Sequence, residues 1–300
     1  MEQPLVSIVI ITMNHEKFIE QACRSAISQT YDNFEIVFLD NCSDDNTYEK
    51  GKKILEDSGI SCTFIKNTEK FKVSKNLNIL VSKASGDYIS ILSGDDWWAE
   101  NIIEEKVNYI KNHPSDFVLS DGYKYIQETG ETIEAYQNTD KTKVIKSLNS
   151  FFHENVVQNK TINVGTFVKK ELLDQYPFDE NLHTEDWDMN LQLSSRGYKI
   201  GFIDKKLFYY RILSTSLSRN WTLMSDSYNK VTSKYLDYIN ADQKLRTKYL
   251  LTLLQFKYEI MLSEAISEEE KKEFQKRWTR EKYELKYKNP VLFFKLLFLK

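Results

Sequence analysis

Apolar and polar positions along the first hundred residues alternate in blocks that predict strands and helices in strict turn. Residues 5–11 form a run rich in β-branched side chains, the pattern of a parallel strand covered on both faces. Behind it Phe18, Ile19, Ala22, Cys23, Ala26 and Ile27 share one face at helical spacing. They predict a helix capped by Asn14 and running to about Gln29. Apolar runs at 34–39, 62–65 and 89–92 predict three more strands, with helices to about Leu55 and over 75–84 between them. This β-α-β-α-β-α-β order predicts an α/β fold, a mostly parallel sheet with flanking helices. Ligands of such sheets sit beyond the carboxyl ends of the strands, and Thr12, Asp40 and the Asp95–Asp96 pair all fall there.

The remaining pattern is more broken. A helix over 102–112, a strand over 117–120 leading to Asp121, and a hairpin over 127–132 are expected. Residues 137–160 are polar and predict a loop with a helix near 145–153, followed by a strand over 161–168. Glu185 and Asp186 open a helix with Trp187, Leu191 and Leu193 inward and Thr184 as a candidate cap. Closing strands are expected at 199–203 and 207–211, then a polar loop flanked by Arg211 and Arg219. From 221 the periodicity becomes helical, over 221–262 and 267–285, the second helix started by Ser267 and Glu270 in capping-box spacing. Two domains follow, 1–218 and a helical C-terminal region, 219–300. The closing apolar decamer, 291–300, is too short to span a bilayer. It is read as an interfacial membrane contact, ahead of packing on the preceding helices or on a second subunit in a homodimer through 221–300.

Composition narrows the function classes. Hydrophobic residues at 41% suffice for a core, while 28% charged residues exclude a membrane-embedded chain. A net charge of −3 removes the electrostatic case for nucleic acid as a partner. The three cysteines form no CxxC pair and are odd in number, which argues for a reducing compartment and against disulfides or zinc. The N-terminus enters its first strand without a signal peptide, so a cytoplasmic location is expected. Neither GxGxxG nor GxxxxGK[ST] occurs, so dinucleotide-binding and P-loop readings lack their glycines. The acidic stretch from Asp40 fails as a calcium loop, with Asp45 where Gly is needed and Gly51 where Glu is needed.

Two acidic clusters carry candidate chemistry. Asp95 and Asp96 sit together where a buried strand leaves the sheet, and both like-charge repulsion and burial oppose their ionisation. A divalent cation that also holds phosphate oxygens would compensate, and so would a capping role for the helix beginning near Glu100. The bare residues leave both open. Glu185 and Asp186 likewise read as a general base with its neighbour, or as acids placed in a first helical turn for dipole reasons.

The motifs taken in order resemble the inverting family 2 glycosyltransferases of the GT-A fold. The resemblance rests on Val6-Ser7-Ile8-Val9-Ile10-Ile11-Thr12-Met13-Asn14, Ser28-Gln29-Thr30-Tyr31 and Asp40-Asn41-Cys42-Ser43-Asp44-Asp45-Asn46-Thr47. It continues through Lys75-Asn76-Leu77-Asn78, Ala84-Ser85-Gly86-Asp87-Tyr88-Ile89, Gly94-Asp95-Asp96, Glu185-Asp186 and Tyr210-Arg211, and covers residues 5–218. It implies nucleotide contacts by Thr12, Asn14, Asp40, Lys75 and Asn76, with Asp40 accepting from a pyrimidine NH. It implies Mn²⁺ or Mg²⁺ and the donor diphosphate at Asp95 and Asp96, and diphosphate neutralisation by Arg211 and Arg219. Asp186 matches the catalytic base, beside Glu185. Donor choice is expected around Trp97, Trp98 and Asp121, and acceptor choice in 137–166, including Gly165 and Thr166. Met13, Ser93 and Leu213 depart from the family pattern, where an aromatic residue, an acid and a His are frequent.

The function implied is metal-dependent, inverting transfer of a hexose or N-acetylhexosamine from a nucleotide diphosphate sugar, UDP-linked, to a glycan or lipid-linked glycan hydroxyl. Surface polysaccharide or glycoconjugate synthesis at the inner face of the cell membrane is the expected setting. The alternative is a noncatalytic sugar-nucleotide-binding subunit on the same fold. A nucleotidyltransferase would need a Gly-rich basic signature after the first strand, which this chain lacks.

Overall fold

The computed structural model describes residues 3–214 and 216–287. The chain divides into two compact units, Met1–Phe152 with Lys160–Ser214, and His153–Asn159 with Thr215–Lys300. The decamer read as a membrane contact, and Thr215 of the polar loop, lie outside the described residues.

The first half of the chain carries β1 (Val6–Thr12), α1 (Ile19–Ile27), β2 (Phe34–Asp40), α2 (Thr47–Glu56), β3 (Cys62–Lys66), α3 (Val73–Lys83), β4 (Tyr88–Ser93) and β5 (Trp97–Trp98). Next come α4 (Ile102–Asn112), β6 (Phe117–Ile126), β7 (Glu131–Glu134), α5 (Asn138–Lys146), a 3-10 turn (Leu148–Ser150) and α6 (Phe151–Asn155). Then follow β8 (Phe167–Lys169), α7 (Lys170–Gln175), α8 (Glu185–Ser195) and β9 (Ile200–Ile212). Among the described residues the nine strands form one sheet, ordered β3-β2-β1-β4-β8-β6-β9-β5, with β7 paired to β6. The β3-β2-β1-β4 block is parallel, as the apolar runs predict, and its central strands are buried on both faces. The direction reverses at β8, antiparallel to both β4 and β6, while β6 and β9 run parallel. One hydrophobic core, from Val6 and Ile8 through Phe38, Leu92, Trp98 and Phe167 to Phe208, fills this unit.

Local departures from the predicted pattern have local causes. Asn14 does not cap α1. Its φ of 57° is left-handed, its Oδ1 accepts the Asp44 N–H at 2.8 Å, and the helix starts five residues later with Phe18 in the cap position. The strand expected over 161–168 shrinks to β8, because the chain turns back through Gly165, whose φ of 67° suits a residue without Cβ. The two closing strands are one, β9, irregular where Ser120/Asp121 and Asp121/Gly122 face it and the register shifts. Residues 138–155 are helical, in α5, the 3-10 turn and α6. β5 was not legible, since two tryptophans carry no alternation; it exists by pairing Trp97 with Tyr209 and Trp98 with Phe208.

The second unit holds α9 (Trp221–Ser233), α10 (Leu236–Ala241), α11 (Gln243–Glu264) and α12 (Glu268–Tyr287). Three of the four have side-chain caps. Asn220 accepts the Leu223 N–H, and Asp242 accepts from Lys244 and Leu245. Ser267 and Glu270 form the predicted reciprocal box, Glu270 N–H to Ser267 Oγ and Ser267 N–H to Glu270 Oε2, both at 3.2 Å. Leu250, Leu254, Tyr258 and Leu285 close the α11–α12 face. Among the described residues no helix is long and apolar enough to cross a membrane.

Candidate active site

The sheet delivers its polar residues to the carboxyl ends of β1, β2 and β4. At the end of β2, Asp40 is fully buried, and the left-handed Cys42 (φ 56°) turns the chain so that Ser43 serves both its oxygens. The Ser43 hydroxyl donates to Oδ1 at 2.5 Å and the Ser43 N–H to Oδ2 at 2.9 Å. Beside it three amides interlock. Asn41 Oδ1 accepts the Phe71 N–H at 2.9 Å and the Asn67 amide at 3.1 Å, and Asn67 also donates to the buried Asn76 at 2.7 Å. The network fixes Phe71, over whose ring the Lys75 ammonium sits 3.6 Å from the centroid. Lys75 and Asn76 were expected here. Asn67 and Phe71 were missed, although Asn67 directly follows a strand and had the same positional signal as Asp40.

The acidic turn follows β4. Gly94 N–H donates to Ile11 O at 2.8 Å, locking the turn to β1. Asp95 is half-buried; its Oδ1 accepts the Ser93 hydroxyl at 2.5 Å and its Oδ2 lies 4.0 Å from His15 Nε2. Asp96 points inward, 5% exposed, and its Oδ1 accepts the Arg211 N–H at 2.8 Å. Burial, then the charge of Asp95, push the Asp96 carboxyl well above the usual carboxylate range. Neither acid caps α4, whose cap position is Asn101 with no side-chain bond. The capping alternative for this pair is thereby removed.

Arg211 is the keystone of the turn. Its Nε–H donates to the Asp95 carbonyl at 2.6 Å, its Nη2 to Gln21 Oε1 at 2.6 Å, and its Nη1 to Gln127 Oε1. The guanidinium lies 4.6 Å from the Phe18 and Trp97 ring centroids and 5.3 Å from that of Tyr125. Each guanidinium nitrogen thus has a protein acceptor. Arg219 belongs to the second unit, on a 3-10 turn (Leu217–Arg219).

Oxygen donors are the right chemistry for Mn²⁺ or Mg²⁺, and Asp95, half-buried, is the acid of the pair nearer the surface. A Cβ on Gly94 would lie 2.7 Å from Thr12 Oγ1 and 2.8 Å from His15 Nδ1, two buried atoms with no hydrogen-bond partner. No group of three or more His, Cys, Asp or Glu residues among the described residues could hold a metal. The acidic turn by itself therefore offers a cation at most a partial ligand set, which phosphate oxygens and water would have to complete.

The third cluster sits on the first turn of α8, where the helix dipole favours negative charge. Thr184 does not cap this helix; its Oγ1 is buried without a partner. Asp186 Oδ1 accepts the Trp187 N–H at 2.6 Å and Oδ2 accepts the Asn163 amide at 2.9 Å. Burial raises the pKa of Asp186, and these two donors act against it. Burial and the charge of Asp186 push the neighbouring Glu185 up to about 7. Burial thus raises both carboxyls of the pair, Glu185 further through the charge of Asp186, while Asp186 alone has the Asn163 donor working against the shift.

A turn connects the second and third clusters. Gly165 N–H donates to Ile91 O at 3.1 Å, and Ile91 N–H donates to Thr166 O at 3.2 Å, four residues before Asp95. From the same turn Asn163 reaches Asp186, while the Tyr136 hydroxyl accepts the Ile162 N–H at 2.6 Å. Gly165 and Thr166 thus lie between the acids as backbone connectors, and Thr166 is 1% exposed. Trp98 is a core residue, 3% exposed, whereas Trp97 is half-buried and stacks on Tyr209 at 4.8 Å. Asp121 is fully buried between two lysines, Lys206 at 2.9 Å and Lys141 at 3.3 Å. As described, neither Trp98 nor Asp121 has surface to offer a sugar.

Gly165 has one more partner. The ammonium of Lys106, fully buried on α4, donates to its carbonyl, and burial alone pulls the lysine down to about 7. Between that value and the ordinary lysine range the unfolded chain binds the extra proton, so the contribution of this lysine to stability rises with pH from about 7 upward. Urea unfolding of Lys106→Met at pH 7 and pH 9 should show a flatter pH dependence than the wild type, by up to about 1.4 kcal/mol per pH unit. Parallel slopes in the two proteins would refute the assignment.

Comparison with known proteins agrees with this architecture. The sequence profile described as "Glycosyl transferase family 2" matches residues 7–170, more than half of the chain. The E. coli protein WfaP, named as a UDP-Glc:alpha-D-GlcNAc-diphosphoundecaprenol beta-1,3-glucosyltransferase, is 29% identical over 216 residues, 72% of this chain and 80% of that one. S. aureus TarS (1–349) in complex with UDP-GlcNAc superposes with a TM-score of 0.58 at 17% identity, covering 84% of this chain and 80% of that one. The mannosyltransferase PcManGT of Pyrobaculum calidifontis, in complex with GDP-Man and Mn²⁺, gives 0.65 at 15% identity, covering 96% of this chain and 85% of that one. At these identities the two structures establish the shared GT-A fold. The match over residues 7–170 establishes the rest: this chain belongs to glycosyl transferase family 2 and is a glycosyltransferase.

Proposed function

We propose that this glycosyltransferase moves a hexose or N-acetylhexosamine from a UDP-linked donor to a hydroxyl of a glycan or lipid-linked glycan, in one inverting displacement. The observation that carries the reading is the turn at 163–166, hydrogen-bonded both to Ile91, just ahead of the acidic turn, and to Asp186. A base and a diphosphate-holding turn on one rigid connector is what single displacement requires.

In this reading the exposed Asn14 and the half-buried Lys75 face the nucleotide, while the buried Thr12, Asp40 and Asn76 hold the surrounding loops in place. Asp95 presents its carboxylate to the cation, while Asp96 holds β9 and the turn together from inside. A bound Mn²⁺ or Mg²⁺ would supply Lewis-acid stabilisation of the departing diphosphate. Asp186 accepts the proton of the incoming hydroxyl as it attacks from the face opposite the leaving group. The donor assignment draws on the UDP-glucose in WfaP's name and the UDP-GlcNAc bound to TarS, and the metal on the Mn²⁺ bound to PcManGT. The diphosphoundecaprenol acceptor in WfaP's name supports a lipid-linked acceptor, with catalysis in 1–218. Residues 219–300 would then meet the inner membrane surface or a second subunit.

Nucleotide release from UDP-glucose, UDP-galactose, UDP-GlcNAc, UDP-GalNAc and GDP-mannose, each with EDTA or Mn²⁺, tests the reading directly. A UDP-sugar should be turned over best, and EDTA should slow it by roughly a hundredfold or more, since metal stabilisation of charge is worth several kcal/mol. Preference for GDP-mannose would overturn the donor, and rates indifferent to EDTA would overturn the metal.

A further inference from the structure

Asp186 is held by a relay of amides that nothing in the motif pattern singles out. Asn190, one helical turn further along α8 and fully buried, donates its amide to Asn163 Oδ1 at 2.8 Å and to Thr161 Oγ1 at 3.3 Å. With that oxygen occupied as an acceptor, the nitrogen of the Asn163 amide faces Asp186 and donates to Oδ2 at 2.9 Å. The Asn163 main chain is fixed as well, since the Thr166 hydroxyl donates to Asn163 O at 2.8 Å. The donor is therefore oriented at both ends, by a neighbour on the helix of the base and by the turn tied to β4.

We propose that Asn163 is a positioning residue for the transfer reaction: its amide, oriented by Asn190, aims the Asp186 carboxylate and keeps it in its ionised, proton-accepting form. The inference rests on Asp186 being the base. The chemistry follows from the donor set. An N–H donor stabilises a carboxylate more than a carboxylic acid, so its loss favours protonation. One oxygen bound to a fixed donor also restricts rotation of the carboxylate about its own bond to Cβ, and general-base catalysis is sensitive to sub-ångström placement. The Trp187 N–H on the other oxygen comes from the base's own helix and cannot by itself set the side-chain direction toward the β4 side. Asn163 joins the carboxylate to the turn that pairs with β4, the strand that carries the acidic turn.

The test uses UDP release from whichever UDP-sugar the full-length protein hydrolyses fastest, with kcat, KM and the pH profile of kcat recorded for each variant. Asn163→Ala should lower kcat by roughly ten- to a hundredfold with little change in KM or in UDP affinity, and should move the acidic limb of the profile upward by about one pH unit. Asn163→Asp, nearly isosteric, replaces the donor with a second negative charge and should be the worse of the two. Asn190→Ala should cost less, and its effect should vanish in the Asn163→Ala background, because the two act in series. A purely structural role predicts the reverse order: Asp at 163 close to wild type, Ala impaired in melting temperature, and the pH limb unmoved. That pattern would overturn the proposal. If Asp186→Asn retains turnover, the base assignment fails first. If Asp186→Asn is dead while both Asn163 variants keep wild-type kcat and limb, the positioning role alone fails.

Discussion

Asp186→Asn protein should bind UDP as tightly as wild type and release nucleotide from its sugar donor roughly a thousandfold more slowly. The size of the loss follows from the usual contribution of a positioned general base, about two to four orders of magnitude. Binding should survive because Asp186 lies on α8, while the nucleotide end proposed at Thr12, Asn14, Asp40, Lys75 and Asn76 belongs to the ends of β1 and β2 and to α3. The fold should also survive, since Asn can still accept the Trp187 N–H through its amide oxygen. Isothermal titration with UDP, alongside a nucleotide-release assay, separates the two quantities. Loss of UDP affinity in step with turnover would mean that Asp186 touches the donor instead of the attacking hydroxyl.

Arg211→Met should behave in the opposite way, as a loss of structure first. The guanidinium is 5% exposed and serves one main-chain carbonyl and two amide side chains while lying against Phe18, Trp97 and Tyr125. Methionine keeps much of the apolar contact but leaves the half-buried Asp95 carbonyl and Gln127 amide without their donor, each costing about 1 kcal/mol, while the exposed Gln21 can turn to water. A total of about 2 kcal/mol should lower the melting temperature by a few degrees. Metal-stimulated UDP binding should fall as well, because the Asp95 carbonyl that Arg211 anchors belongs to the acidic turn. Had Arg211 instead reached out to a diphosphate, the variant would lose donor affinity at an unchanged melting temperature. Differential scanning fluorimetry and titration on the same samples distinguish these outcomes.

The parallel half of the sheet was legible because β1, β2 and β4 are buried on both faces and therefore read as unbroken apolar runs. Asp40 and the Asp95–Asp96 pair were legible for the same reason, as polar interruptions at known ends of those runs. The rest was hidden because it depends on partners distant in sequence. Asn163 and Asn190 are ordinary amides until α8 brings them together across 27 positions. Arg211 carries a charge that suggests an anionic ligand, and only the folded chain reveals Gln21, 190 residues away, as its acceptor. Asn14 has a good cap residue's identity but a left-handed backbone, a conformation that local composition does not announce. Trp98 and Asp121 show the same limit from the other side. An aromatic or an acid near a strand end can be consumed by the core or by an internal ion pair as readily as by a substrate.

Between β6 and β9 the partner of Ser120 is Ile203, that of Asp121 is Lys206 and that of Gly122 is Phe208. The longer strand gains length over its neighbour there before regular pairing resumes through to Ile212. Side chains alternate sides along a strand, so each extra residue shifts the phase of those that follow it. Regular pairing with β6 resets that phase beyond the irregularity, and it is this pairing that sets Arg211 opposite Tyr125, beside the acidic turn. A one-residue change inside this stretch is therefore a change in the bulge, whereas the same change between Phe208 and Arg211 would turn the guanidinium to the opposite side of the sheet.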